Sequence, residues 1–238
     1  MNIQYTSDIT VKLIDKMGGD DSIIRSAIVS TNGNIGKYST DEAKYGLIHY
    51  LMKHKHGTPF EHSSITFYVH APIFVFREWH RHRIGFSYNE YSARYSEMEP
   101  IFWIPKRDRK LIPSDKHKSA RPNFIKMEDT QYFELIIDEI KTACEDSYYS
   151  YNRLLRNNIA KEVARTVLPV GIYSKMYVTC NPRSLMSFLS LRTNNENATF
   201  RSYPQAEIEE AANACELTLA EGWPLTYRAY CENGRVAP

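Results

Sequence analysis

Between Ile125 and about Asn157 the apolar residues Phe133, Ile136, Ile137, Ile140, Ala143 and Cys144 recur every three or four positions, the spacing that lines them along one side of an α-helix. The pattern predicts one long amphipathic helix, and its stripe has to be covered. Strands are predicted where Ile9, Val11 and Leu13 alternate, where Ile65, Phe67 and Val69 alternate, and at Tyr173, Met176 and Val178. Further helices follow from their start and stop signals. Asp20 and Asp21 are placed to cap one through Ile23, Ile24 and Ala27. Ser39 and Glu42 have capping-box spacing ahead of Ala43, Leu47, Tyr50 and Leu51, a run ended by Gly57 and Pro59. Pro72 suits the first turn of a helix from Ile73 to about His82, whose last residues would project into a site. A shorter helix holds Val163 and Val167 and stops before Pro169, Asn181-Pro182 opens another that ends near Arg192, and a last one runs from about Pro204 to Glu221. Residues 106–124 carry basic residues, Pro113 and Pro122 with few apolar ones, so a surface insertion or lid without a packed core is expected. The class is α+β, with helices dominating the carboxy-terminal half and residues 1–238 read as a single domain.

With 238 residues, 42% of them apolar, the chain is long enough to bury a core. The longest apolar candidate, Ala71 to Phe76, falls far short of a membrane span. The opening Met-Asn-Ile-Gln-Tyr-Thr-Ser-Asp has no basic region followed by an apolar one, so a cytoplasmic protein with no membrane association is expected. Cys144, Cys180, Cys215 and Cys231 are scattered and form no Cys-x-x-Cys pair, which argues for reduced structural thiols rather than a disulfide scaffold or thiolate zinc site. His54, His56, His62, His70, His80 and His82 crowd one stretch, but no His-Glu-x-x-His spacing occurs, so no metal site is expected. Thirty basic residues against 28 acidic ones are too balanced for a chain built to neutralise nucleic acid, although Phe86, Tyr88, Tyr91 and Tyr95 interleave with arginines as stacking platforms do. Any anion bound here should meet a local arginine cluster.

That cluster is Arg81-His82-Arg83-Ile84-Gly85-Phe86-Ser87-Tyr88-Asn89-Glu90-Tyr91-Ser92-Ala93-Arg94-Tyr95. A guanidinium stays charged and presents a planar fork that matches phosphate oxygens two at a time, and Ser, Asn and backbone N–H groups can complete a cradle. Gly85 and Ala93 permit close backbone approach. Arg165, Arg183 and Arg192 follow at helical positions. Arg183 and Arg192 are nine residues apart, about two and a half turns, so they should lie on roughly opposite faces of one helix and meet different groups.

Arg81-His82-Arg83 followed by Ser-Tyr-Asn-Glu-x-Ser-x-Arg-Tyr resembles the signature of the flavin-dependent thymidylate synthases. Thr58-Pro59-Phe60-Glu61-His62, Ala71-Pro72-Ile73-Phe74-Val75, Glu162-Val163-Ala164-Arg165 with Leu168-Pro169, and Asn181-Pro182-Arg183-Ser184-Leu185 are similar to that family's other motifs, in its order, over most of residues 20–195. The sequence departs from the family pattern in one extra residue among Ile84, Gly85 and Phe86. It also has Glu78 where glutamine is frequent, Ser187 where asparagine is frequent, and Asn197-Ala198-Thr199 where His-Ala-Gln is usual.

The resemblance implies a thymidylate synthase-complementing protein-like fold with a small, mostly antiparallel sheet. It also implies reductive methylation of dUMP to dTMP, with methylenetetrahydrofolate as carbon donor, FAD as hydride relay and NADPH as reductant, in a homotetramer whose sites combine subunits. By the same resemblance Ser30, Thr58, Arg81, His82, Arg83, Glu90, Asn181, Arg183 and Ser187 would line FAD. Glu78, Arg81, Glu90, Ser92, Ala93, Arg94, Arg165 and Arg192 would hold dUMP.

Arg94 and Arg165, with Ser92 and backbone N–H groups, are suited to clamp a phosphate. A fixed positive charge near the ring nitrogen between the uracil carbonyls favours an electron-rich ring, and Arg192 is assigned that task. Ser92 lacks a Gly-x-Ser-x-Gly elbow and a recognisable base, so it is read as a ligand contact rather than a nucleophile, and no cysteine has the setting of an activated thiolate.

Overall fold

A computed structural model describes residues 2–31, 33–113 and 124–238. Its strands are β1 (Gln4–Thr6), β2 (Thr10–Met17), β3 (Ser64–Pro72), β4 (Phe86–Glu90), β5 (Ile101–Trp103), β6 (Lys110–Pro113), β7 (Phe124–Lys126) and β8 (Tyr173–Cys180). Its α-helices are α1 (Asp20–Ile28), α2 (Asp41–Lys53), α3 (Ile73–Trp79), α4 (Thr130–Arg156), α5 (Lys161–Ala164), α6 (Pro182–Arg192), α7 (Ala206–Gly222) and α8 (Pro224–Glu232). These elements form two compact units, each drawn from separated stretches of chain. The first holds Met1–Asp8, His70–Arg77 and Glu90–Lys175, and the second holds Ile9–Val69, Glu78–Asn89 and Met176–Pro238.

The first unit is organised by α4, the long helix that the apolar stripe predicts. It begins at Thr130 rather than Ile125 because Asp129 caps it, accepting the Tyr132 N–H at 3.0 Å, while Phe124–Lys126 pairs as a strand instead. Toward its start Phe133 and Ile137 pack with Met127, Ile104, Leu111 and Ile112. Toward its end Cys144, Tyr148 and Tyr151 pack with Met98, Phe102, Ala164 and Ile172. The buried tyrosines also satisfy backbone. Tyr148 donates to the Met98 carbonyl at 2.9 Å, and the Met98 N–H donates to the Tyr151 oxygen at 3.1 Å. Strands β1 and β5 pair in parallel, with Gln4 opposite Ile101.

The expectation of a coreless excursion over 106–124 needs correction at its ends. Lys110–Pro113 and Phe124–Lys126 form an antiparallel pair, and Leu111 and Ile112 join the core patch around Phe133. Two apolar residues flanked by lysine and proline carry too short a period to show this in sequence. The middle of the excursion, 114–123, lies outside the described residues.

Four strands, most of whose residues belong to the second unit, run in the order β2-β3-β8-β4. The predicted alternation in β3 is present, with Ile65, Phe67 and Val69 buried. Helix α2 packs on α8, α7 packs on α6 and α8, and α7 also packs on β2. Three helix ends differ from expectation. Gly19, not an aspartate, stands at the start of α1. The Asp20 carboxylate instead serves α8, accepting the N–H groups of Leu225 and Thr226 at 2.9 and 3.0 Å and the Thr226 hydroxyl at 2.6 Å. Helix α2 is capped by Thr40, one residue beyond Ser39, through the Ala43 N–H at 3.3 Å. Helix α3 ends at Trp79, short of His82. Helix α6 matches the prediction. Asn181 caps it through the Ser184 N–H at 2.8 Å, Pro182 occupies its first turn, and Arg192 is its last residue.

No helix among the described residues is long and apolar enough to cross a membrane. All four cysteines are unbridged, and burial pushes the Cys180 and Cys215 thiols well up, away from the reactive thiolate form.

Candidate active site

Each unit contains a polar cleft. In the second unit a cleft of about 430 Å³ is lined by Glu78, Arg81, His82, Leu191 and Arg192. Arg192 stands at the carboxy-terminal end of α6, where its charge is favoured by the helix dipole. Its Nη1 donates to the Glu78 carboxylate at 2.5 Å, Nη2 to the Glu78 carbonyl at 3.0 Å, and Nε to His82 Nε2 at 3.0 Å. Three of its five N–H donors are thus engaged and two remain for a ligand.

For His82 Nε2 to accept this bond the ring must be neutral, with its proton on Nδ1. The surroundings enforce that state. Burial, then the charge of Arg192, pushes the His82 pKa down to about 4. Phe188 meets the ring edge-on with centroids 4.9 Å apart. Tyr88 anchors the turn that carries His82, donating to the backbone carbonyls of Trp79 and His82.

In the first unit a cleft of about 270 Å³ is lined by Ser92, Ala93, Glu90, Arg165 and Ser174 over apolar walls that include Ile73, Met98 and Ile172. Residues 92–96 form a tight turn in which the Ser92 carbonyl accepts the N–H groups of Tyr95 at 3.1 Å and Ser96 at 3.0 Å. The Ser92 hydroxyl accepts the Arg94 N–H at 3.4 Å, which leaves its own proton free to donate. Among the described residues no His, Asp or Glu side chain is hydrogen-bonded to it. Arg165 opens the 3-10 turn after α5, and its exposed guanidinium has no partner among the described residues. Arg94 is held by Glu162 at 2.9 Å, in an ion pair whose side chains are each 52% exposed and which yields readily to a stronger anion.

The residues expected at a flavin are distributed as follows. Gly57 approaches the Arg183 guanidinium so closely that a Cβ there would overlap it, which brings Arg183 beside Thr58. Arg183 also donates to Glu61 at 2.5 Å and to the Pro238 carbonyl at 2.7 Å, groups quite different from those Arg192 meets, as the helical spacing predicts. Gly85 has φ of 69° and touches the amino-terminal end of α6, where a Cβ would overlap Ser184 and stand 3.0 Å from Asn181 Nδ2. The nearby Arg81 and Arg83 are exposed and have no side-chain partner among the described residues. This set of guanidinium and amide donors fits an anionic, planar dinucleotide. Ser187 stands exposed on α6, and Ser30 turns its hydroxyl back to the Ala27 carbonyl at 3.0 Å; neither is bonded to the others. Sequence reasoning did not assign Glu61 and Glu162 as charge partners of Arg183 and Arg94, although both lie inside the motifs quoted above. Among the described residues no three His, Cys, Asp or Glu side chains are grouped to hold a metal ion.

The profile of the family described as "Thymidylate synthase complementing protein" matches residues 12–225. A flavin-dependent thymidylate synthase of Streptomyces coelicolor is 47% identical over 99% of this chain and 96% of its own length. One from Tropheryma whipplei is 45% identical over 100% of this chain and 98% of its own. Among solved structures, the UMP/dUMP methylase PolB from Streptomyces cacaoi bound with 5-Br dUMP superposes with a TM-score of 0.90 at 42% identity, covering 99% of this chain and 100% of that one. With the profile spanning nearly all of the sequence and full-length relatives well above 40% identity, the chain belongs to the thymidylate synthase complementing protein family, the flavin-dependent thymidylate synthases.

Proposed function

We propose that this enzyme methylates dUMP to dTMP, taking the carbon from methylenetetrahydrofolate and reducing equivalents from NADPH, with FAD as the resident cofactor. The observation that carries the reading is the unpartnered Arg165 guanidinium sharing a cleft with the donor-ready Ser92 hydroxyl. An exposed fork of donors beside a hydroxyl on a tight turn is a receptor for a phosphate. Arg94 joins it on leaving Glu162, Ala93 lets the turn approach closely, and the Glu90 carboxylate at the rim accepts from a sugar hydroxyl.

Arg192, with two N–H groups to spare, addresses the uracil carbonyls and stabilises negative charge on the ring as it becomes nucleophilic. A guanidinium does not give up its proton, so Arg192 acts by field and orientation. Glu78 and neutral His82 fix the plane of that guanidinium, and Glu78 and Arg81 complete the uracil end of the site. Ser30, Thr58, Arg81, His82, Arg83, Glu90, Asn181, Arg183 and Ser187 are the residues proposed to hold FAD, which supplies the hydride chemistry when bound. By this reading the enzyme is a homotetramer whose active sites draw on more than one subunit.

The test is direct. Purified protein should take up FAD, absorb near ~450 nm, change that spectrum on addition of dUMP, and yield dTMP only when methylenetetrahydrofolate and NADPH are both present. UMP belongs in the same assay, because PolB was also crystallised with 5-Br UMP. Protein that cannot be loaded with flavin, or a loaded protein that turns over neither nucleotide, would refute the proposal.

A further inference from the structure

Four buried side-chain polar atoms among the described residues have no hydrogen-bond partner: Ser63 Oγ, Trp79 Nε1, Ser174 Oγ and Trp223 Nε1. Of these residues, Ser174 alone lines either of the clefts described above, the one that holds Glu90, Ser92 and Arg165. It is the second residue of β8 and only 4% exposed. Its neighbours in the strand are tied down. The Tyr173 hydroxyl donates to the carbonyls of Thr6 and Asp8 at 3.3 and 3.1 Å, and Lys175 pairs with Glu99 at 2.9 Å. Of the apolar lining residues, Ile73, Leu168 and Ile172 have side chains that accept no hydrogen bond, and Met98 offers only a weakly accepting thioether.

A buried hydroxyl in this condition is a net cost to the fold, because its lost hydration is repaid by nothing in the protein. Alanine would fill almost the same space without that cost. A group that enters the cleft can supply the missing bond. Turning the side chain about χ1, between staggered wells, moves Oγ by ~2 Å. The other polar groups of the cleft define what it would meet. Arg165 offers an unengaged cation and Ser92 an unengaged O–H, a set that selects an anionic oxygen.

We propose that Ser174 is a third donor, beside Ser92 and Arg165, to the phosphate of the bound nucleotide; the inference rests on the reading of this cleft as the dUMP phosphate site. Ser174 is thereby a substrate-binding residue whose contribution exists only in the liganded enzyme. The signature is a separation of two effects that a packing residue would show together: removing the hydroxyl leaves the ligand-free fold as stable or more stable, and weakens the nucleotide complex.

The experiment compares FAD-loaded wild type, Ser174→Ala and Ser174→Thr. Each is followed by thermal unfolding with and without dUMP, by titration with dUMP read from the flavin spectrum, and by competition with deoxyuridine, which lacks the phosphate. For Ser174→Ala the unfolding midpoint without nucleotide should equal or exceed that of wild type. Its Kd for dUMP should rise about tenfold, the loss of one hydrogen bond to a charged group. Affinity for deoxyuridine should stay within about twofold, since the group removed touches only the phosphate. Ser174→Thr, which keeps the hydroxyl and suits a strand, should recover most of the loss. An unchanged Kd for dUMP, an equal loss for dUMP and deoxyuridine, or a midpoint lowered already in the absence of nucleotide would each overturn the assignment. A wild type that carries FAD yet does not respond to dUMP would instead sink the phosphate-site reading, and Ser174 with it, a failure visible without any variant.

Discussion

The neutral state of His82 gives the site a pH dependence whose sign and size follow from the structure. The ring accepts the Arg192 Nε proton at 3.0 Å and is held at a pKa of about 4, against an ordinary histidine near ~6.5. Between those values the unfolded chain binds a proton that the folded protein refuses, so stability rises with pH through this window and is lost as pH falls below ~6.5. For these two pKa values the linkage integral gives a loss of about 1.4 kcal/mol between pH 7.5 and 5.5 and about 2.6 kcal/mol by pH 4.5. Both are upper figures, because the ring keeps some contact with solvent that screens the penalty. At roughly 2–4 °C per kcal/mol for a chain of this size, the first step amounts to about 3–5 °C in Tm. The perturbation is His82→Gln, which can still offer an amide oxygen to Arg192 but does not titrate. Thermal unfolding of FAD-loaded wild type and variant is recorded from pH 7.5 to 4.5. The two proteins have every other ionisable residue in common, so the difference between the two curves reports on His82. Wild type should lose stability relative to the variant as pH falls, and its dUMP affinity should fall in the same range as the protonated ring repels Arg192. Parallel curves for the two proteins would refute the reasoning.

Arg165→Ala should weaken dUMP binding by about 10–100-fold with the flavin spectrum intact, and Arg165→Lys should recover only part of it, since an ammonium cannot bind two oxygens in one plane; an unchanged dUMP titration would exclude Arg165 from the site. Asp20→Ala should lower Tm through loss of about 1–2 kcal/mol at the start of α8, with FAD binding preserved, because both N–H groups of Leu225 and Thr226 lose their acceptor; unaltered unfolding would show that these groups find other partners. Substituting each of Cys144, Cys180, Cys215 and Cys231 by alanine should leave turnover largely intact, and a folded, flavin-loaded variant without activity would reinstate a thiol in the mechanism.

What could be read from the sequence was what is local. The stripe from Phe133 to Cys144, the alternation in Ile65, Phe67 and Val69, and the Asn181-Pro182 start of α6 each express a periodicity or cap within a few residues, and each is present. Asp20 shows where this stops. Its position before an apolar run is that of a cap, yet the N–H groups it serves belong to a helix 205 residues further on. Helix α8 is hard to separate in sequence because its nine residues follow α7 after a single intervening tryptophan, although Pro224 at its first position is a start signal. The division into two compact units is equally nonlocal, since neither is a continuous stretch of chain.

The arginines show the same boundary in chemical terms. Sequence motifs nominate guanidinium groups for a site, but do not say which are already neutralised. Arg192 is partnered by Glu78 across 114 positions, and Arg183 by Glu61 across 122, whereas Arg165 has no partner among the described residues. This difference bears on their tasks. A guanidinium paired and planar before the ligand arrives loses little freedom on binding and presents a fixed field, which suits a group that must act on charge developing in a ring. A guanidinium that is exposed and unpaired attracts an anion from a distance and gives up no ion pair to receive it, which suits capture of a phosphate. Arg94 lies between these cases, since its pair with Glu162 is exposed and weak enough to be exchanged. The grading from free through exchangeable to fixed thus runs Arg165, Arg94, Arg192 and agrees with the roles proposed for them, phosphate capture for the first two and action on the base for the third, a grading that residue types and spacing alone do not contain.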